Sequence, residues 1–172
     1  SVVSIEEGDK IKYDFIPEID GYLVYTINEI TENALRSAFG SVHFKHHFSS
    51  LISTYHLHYA ISNKRTVFVQ YHDQKFSLCL FDGKKVTHFN VFDIASFEDV
   101  IYYTYYTMEQ FQFAPKNTII HIGGNYSSHE QVLGTFQKYS EKIYRLKPKK
   151  EIQLSPQEEN AFINTIFDIQ CG

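Results

Sequence analysis

Thr66-Val67-Phe68-Val69-Gln70-Tyr71, Lys75-Phe76-Ser77-Leu78-Cys79-Leu80-Phe81 and Lys84-Lys85-Val86-Thr87-His88-Phe89-Asn90-Val91-Phe92 are three β-rich runs in quick succession. His72-Asp73-Gln74 joins the first two. Asp82-Gly83 joins the second to the third, and Asp-Gly between alternating runs is a strong two-residue hairpin signal. Val67, Val69 and Tyr71 share one face, and Phe76, Leu78 and Leu80 share another. The stretch reads as an antiparallel meander.

Downstream the pattern becomes helix, strand, helix, strand. Ser96 opens a Ser-x-x-Asp cap, and Phe97, Ile101, Tyr105 and Met108 form a stripe with Val100, Thr104 and Phe111 beside it. Pro115 stands just beyond that helix. Thr118 to Ile122 is a short buried-looking strand, followed by the turn Gly123-Gly124-Asn125. Ser127-x-x-Glu130 is a capping box for the next helix, and Lys142 to Leu146 is a last strand. Three antiparallel strands followed by α-β-α-β is the order of the ribonuclease-H-like and actin-like ATPase domains, so the expected fold is α/β of that type.

Upstream, Val2 to Ile5, Ile11 to Ile16 and Tyr22 to Ile27 read as strands. Asn28 can cap a helix carrying Ile30, Ala34, Leu35 and Ala38, with Gly40 in the C′ position. Val42 to His46 reads as a returning strand, giving a β-α-β unit. Phe48, Leu51, Ile52, Tyr55 and Tyr59 then predict a helix near 49–61. The expected division is a partial first subdomain over 1–48, a connecting helix over 49–65, a second subdomain over 66–147, and a linker with a C-terminal helix over 148–172. Lys147-Pro148-Lys149-Lys150 marks the linker; Ser155-Pro156-Gln157-Glu158 opens the last helix, with Phe162, Ile163, Ile166 and Phe167 on its apolar side. The beginning of the first subdomain is expected to lie outside this chain.

Composition removes several classes of function. The 172 residues carry 16 Lys+Arg against 20 Asp+Glu, a net −4 that argues against a phosphate-tracking nucleic-acid binder. The 15 Phe and 13 Tyr could stack on bases, but the densest run, Ile101-Tyr102-Tyr103-Thr104-Tyr105-Tyr106, has no Lys or Arg beside it. No apolar stretch is long enough to span a membrane. Cys79 and Cys171 are too few for a disulfide framework, so a reducing, cytoplasmic setting is expected. No metal site is expected. His43 and His47, placed on one strand, would stand about 13 Å apart, and His46 would point to the other face. His56 and His58 diverge on a helix. A ribonuclease-H nuclease needs converging carboxylates, and the fourth strand of the second subdomain offers only His121. Cys79 sits mid-strand as a small core residue.

Tyr22-Leu-Val-Tyr-Thr-Ile-Asn-Glu29, Val42-His-Phe-Lys-His-His-Phe48, Leu80-Phe-Asp-Gly-Lys-Lys-Val-Thr-His-Phe-Asn-Val-Phe92 and Phe97-Glu-Asp-Val-Ile-Tyr-Tyr103 resemble an uncharacterised bacterial family of unknown function. The resemblance runs from about Lys10 to Leu146. It implies an actin-like ATPase fold, similar to the cytoplasmic pilus-assembly and secretion proteins of that superfamily.

Active members of that superfamily hold ATP and Mg²⁺ at Asp-x-Gly hairpin turns. Here the corresponding turn is Tyr71-His72-Asp73-Gln74-Lys75-Phe76-Ser77, with Asp73 present and Lys75 where the glycine would stand. The adenosine segment resembles Ile119-Ile-His-Ile-Gly123-Gly124-Asn125, where glycines would allow close approach and a helix N-terminus would favour anions. The nucleotide candidates are therefore Asp73, Gln74, Gly123, Gly124 and Asn125. Each stretch also reads as a plain turn. The glycine-free Asp73 turn makes the expected function non-catalytic: a scaffold that binds an unidentified protein partner. Its candidate contact points are the C-terminal helix and the aromatic surfaces. ATP binding with weak hydrolysis is the alternative.

Overall fold

The computed structural model describes residues 5–72, 74–124 and 129–146, with the side chains at 72 and 129–131 excepted. The expected strand at Val2–Ile5 falls almost wholly outside that range, as do the C-terminal linker and helix.

Two sheets are present among the described residues. The smaller is a hairpin of β1 (Asp9–Ile16) and β2 (Gly21–Asn28). A 3₁₀ turn over Pro17–Ile19 joins them, and Asp20 takes the left-handed conformation at φ 47°. Helix α1 (Glu29–Phe39) follows at once. The Asn28 side chain caps it by accepting from the Ile30 and Thr31 N–H groups. Gly40 closes it, donating its N–H to the Arg36 carbonyl.

The predicted apolar stripe of α1 does not form a core. Ile30 is 78% exposed, and Ala34 and Ala38 are also exposed. The buried residue of α1 is Glu32, whose carboxylate lies 2.9 Å from both the Lys12 ammonium and the Arg36 guanidinium. An ionic clamp therefore ties this helix to the hairpin.

The expected strand at 42–46 is absent, and with it the β-α-β unit. Side chains satisfy that backbone in place of a strand ladder. The His46 N–H donates to the Asp14 carboxylate at 2.7 Å, and the Tyr25 hydroxyl donates to the Phe44 carbonyl at 3.2 Å. The His46 ring then caps helix α2 (His47–Thr54) by accepting from the Phe48 N–H. A single π-turn over Tyr55–Tyr59 extends α2, closed by Ala60 N–H to Tyr55 carbonyl at 2.8 Å.

The larger sheet has five strands in the order β5-β4-β3-β6-β7. They are β3 (Arg65–His72), β4 (Lys75–Asp82), β5 (Lys85–Asp93), β6 (Thr118–Gly124) and β7 (Ile143–Arg145). β3-β4-β5 is an antiparallel meander. β6 pairs parallel to β3, and β7 parallel to β6. The β4–β5 loop is Gly83-Lys84, one residue later than the sequence suggests, because Asp82 pairs with Lys85.

The register pairs Val67 with Leu80, Val69 with Leu78 and Tyr71 with Phe76. The two apolar faces read separately from the sequence are therefore one face. It packs under helices α3 (Phe97–Gln110) and α4 (His129–Gln137). The stripe α3 buries is Val100, Thr104, Thr107 and Met108; Phe97, Ile101 and Tyr105 flank it, half-buried. Ser96 and Asp99 form its capping box. Phe68, Cys79 and Phe81 point to the opposite face, where Leu51, Ile52 and Tyr55 cover them and Ile16 of the hairpin joins the cluster.

Candidate functional site

β3 and β6 run parallel, so Gln70-Tyr71 and Gly123-Gly124 end side by side. The turn after β3 lies at the same end, and Gln74 is its described residue. Asp73 and Asn125 lie outside the described residues. Gln74, Gly123 and Gly124 thus share one edge of the sheet, the carboxyl ends of parallel strands where α/β folds hold ligands.

The chemistry of that edge is largely committed to the protein itself. Gly123 and Gly124 belong to β6, not to a free loop. A side chain at Gly123 would meet the Gln70 side-chain oxygen at 2.4 Å and Leu146 at 2.9 Å. One at Gly124 would lie 2.3 Å from the Tyr71 carbonyl oxygen, and φ there is +96°. The space beside these glycines is occupied by the Gln70 and Leu146 side chains and the Tyr71 backbone. Gln74 offers its carbonyl to the Ile94 N–H at 2.9 Å. Lys75, in the position of a phosphate-loop glycine, lies 2.9 Å from the Asp93 carboxylate across the strand pair.

Other reactive side chains are insulated. Cys79 is 1% exposed, and burial pushes its thiol far above the usual range. His121 stacks on Phe68 at 5.2 Å between centroids, with Tyr59 and Tyr144 at its sides. Burial lowers its pKa to about 4. His46 and His47 are ring neighbours 4.8 Å apart at the start of α2, not residues on a strand. Among the described residues no group of three His, Cys, Asp or Glu is placed to hold a metal ion.

The surface that stands out was not singled out by the sequence reading. β1 and β2 turn Ile11, Tyr13, Phe15, Tyr22 and Val24 to one side, with Tyr13 opposite Val24 and Phe15 opposite Tyr22. All five are exposed, Tyr13 at 69% and Tyr22 at 65%. Tyr22 meets Tyr13 edge-on at 5.8 Å and Phe15 at 5.1 Å, so the rings form a contiguous patch. The other side of the hairpin carries Asp14, whose carboxylate also accepts from the Ser49 hydroxyl at 2.6 Å and the Tyr25 hydroxyl at 3.3 Å. Burial, then Asp14, raises the Tyr25 pKa to about 12. This polar knot pins the inner side of the hairpin to α2 and leaves the apolar side facing water. The available signal was the alternation itself: a charge at 14 shares its side with buried Ile16, so the apolar residues at 11, 13 and 15 must face away.

The sheet order, the meander with its two parallel additions and the helices across one face define an actin-like ATPase fold. A solved protein of unknown function with that fold, from Bacteroides thetaiotaomicron VPI-5482, superposes with a TM-score of 0.81 at 16% identity. The match covers 98% of this chain and 61% of that one, so the chain spans under two thirds of its relative's length. A chain of the PilM-PilN type IV pilus biogenesis complex superposes with a TM-score of 0.56 at 10% identity, covering 98% of this chain and 68% of that one. No curated protein matches significantly in sequence. Residues 2–143 match the family described as protein of unknown function DUF3822, and the chain belongs to that family. No helix among the described residues is long and apolar enough to cross a membrane.

Proposed function

We propose that the chain is a non-catalytic scaffold that binds another protein through the outer face of the β1–β2 hairpin. The observation that carries this reading is the contiguous exposed patch of Ile11, Tyr13, Phe15, Tyr22 and Val24. Exposed apolar patches of this kind mark interaction sites, and tyrosines dominate the centres of protein interfaces. The partner it suits presents an uncharged, apolar strand or helix face. That one structural relative is part of a two-protein complex supports a protein as the occupant. The cytoplasm is the proposed setting, on the strength of the two cysteines.

Photo-crosslinking in the native host tests it. Crosslinkers placed at Tyr13 and Tyr22 are expected to give the same discrete adduct. The same group at Tyr102 or Tyr139, exposed tyrosines outside the hairpin, is expected to give none. Indiscriminate adducts from all four positions would overturn the assignment.

The second reading is ATP with Mg²⁺ at Asp73, Gln74, Gly123, Gly124 and Asn125. What favours it is the meeting of the Gln74 turn and the Gly124 strand end at one edge. A native-state ligand at about 100 times its Kd adds about 2.7 kcal/mol, a rise of a few degrees in Tm. A scaffold is expected to show no shift in thermal unfolding with millimolar Mg²⁺-ATP. A shift that Asp73→Ala abolishes would replace the scaffold reading with the nucleotide one.

A further inference from the structure

The opposite edge of the large sheet is built differently. The turns entering β3, β6 and β7 and the β4–β5 turn all lie there, because the first three strands are parallel and β4 runs back to Arg65. Of the charged residues at this edge, Lys64, Arg65, Asp82 and Lys142 line one common cleft. A cleft of about 380 Å³ opens there, lined by Asn63, Lys64, Arg65, Asp82, Asn117 and Lys142.

The cleft's cations divide into two kinds. Arg65 is fixed: its guanidinium donates to the Gln112 carbonyl, lies 5.0 Å over the Phe113 ring and stands 3.6 Å from the Asp82 carboxylate. Asp82, the one acid of the lining, is thereby already engaged. Lys64 and Lys142 are uncommitted, since among the described residues neither ammonium has an ion-pair partner. Two lysines without an ion-pair partner among the described residues and two amide side chains thus line one concavity.

We propose that this cleft binds a phosphate-class anion. A multiply charged tetrahedral oxyanion matches the two lysines, where a single carboxylate would leave one of them unpaired. The site lies roughly 20 Å from Gly124, at the far end of β3 and β6, so it is separate from the nucleotide candidates. The anion is supplied by a soluble phosphorylated compound or by the headgroup of an anionic lipid.

Both sources are tested with the full chain. Pyrophosphate is titrated calorimetrically at low salt. In parallel the chain is sedimented with phosphatidylcholine vesicles, with and without phosphatidic acid. Saturable pyrophosphate binding is expected, weakened at least tenfold by combining Lys64→Gln with Lys142→Gln and unaltered by Lys45→Gln. Among the described residues neither lysine has an ion-pair partner, so the double variant is expected to keep the wild-type Tm and a loss of binding reads the site alone. Vesicle binding that requires phosphatidic acid and both lysines assigns the anion to a headgroup. Pyrophosphate binding without vesicle binding assigns it to a soluble compound. Absence of both, or equal binding by wild type and double variant, overturns the proposal.

Discussion

Gly124→Ala is expected to destabilise the chain by more than about 3 kcal/mol, whereas Gly40→Ala costs about 1 kcal/mol. The two positions share a positive φ, +96° and +74°, so backbone strain is common to both. They differ in surroundings. At Gly40 nothing lies within 4 Å of an added Cβ, but at Gly124 the Tyr71 backbone lies at 2.3–2.9 Å. Backbone cannot rotate aside, so β6 must separate from β3 at the centre of the sheet. Against a typical domain stability of about 5–15 kcal/mol, that loss is a large fraction. Urea unfolding of both variants measures the difference. Equal losses would mean that strain alone explains Gly124 and that the β3–β6 approach does not require it.

Acidification is expected to act through His121. Its ring is held neutral in an aromatic nest, with a folded pKa of about 4 against an unfolded value of about 6.5. Above pH 6.5 both states are neutral and the residue contributes no penalty. As the pH falls from 6.5 to 4 the unfolded chain takes up the proton first, so stability declines across that window and levels off below it. The total is about 3 kcal/mol. Burial lowers His47 and His56 in the same direction, with Lys84 adding to the effect at His56. His121→Phe keeps the stacking and removes the titration. Urea midpoints measured from pH 7 to pH 4 are expected to fall less steeply for this variant than for wild type. Parallel slopes would show that His121 is not the group responsible.

The large sheet was legible because its signals are local. Alternation in β3 and β4, the Ser96 cap and the spacing of α3 each follow from a few neighbouring residues. The N-terminal part was less legible because its order comes from distance. No local pattern says that His46 will donate to Asp14, yet that bond replaces the expected strand at 42–46. Helical spacing at Ile30, Ala34 and Ala38 was real, but spacing does not say that a core lies opposite it, and here Glu32 holds the helix instead. At the candidate nucleotide edge, the sequence reading of Gly123-Gly124 concerns close approach of a base or ribose. That the Tyr71 backbone and the Gln70 side chain also lie against these glycines is something a single sequence cannot reveal.

The sheet order also sets the sequence of events by which the chain assembles. β3, β4 and β5 are joined by two-residue loops, so they can zip together on the microsecond scale of hairpin formation. β6 must find β3 across about 45 intervening residues and the whole of α3, a search whose entropic cost precedes any reward. Until it arrives, the central strand β3 presents an open, apolar edge to every other chain in reach. The interval before β6 docks is thus when a nascent copy is most exposed to mispairing, and the two glycines that let β6 seat closely bring it to an end.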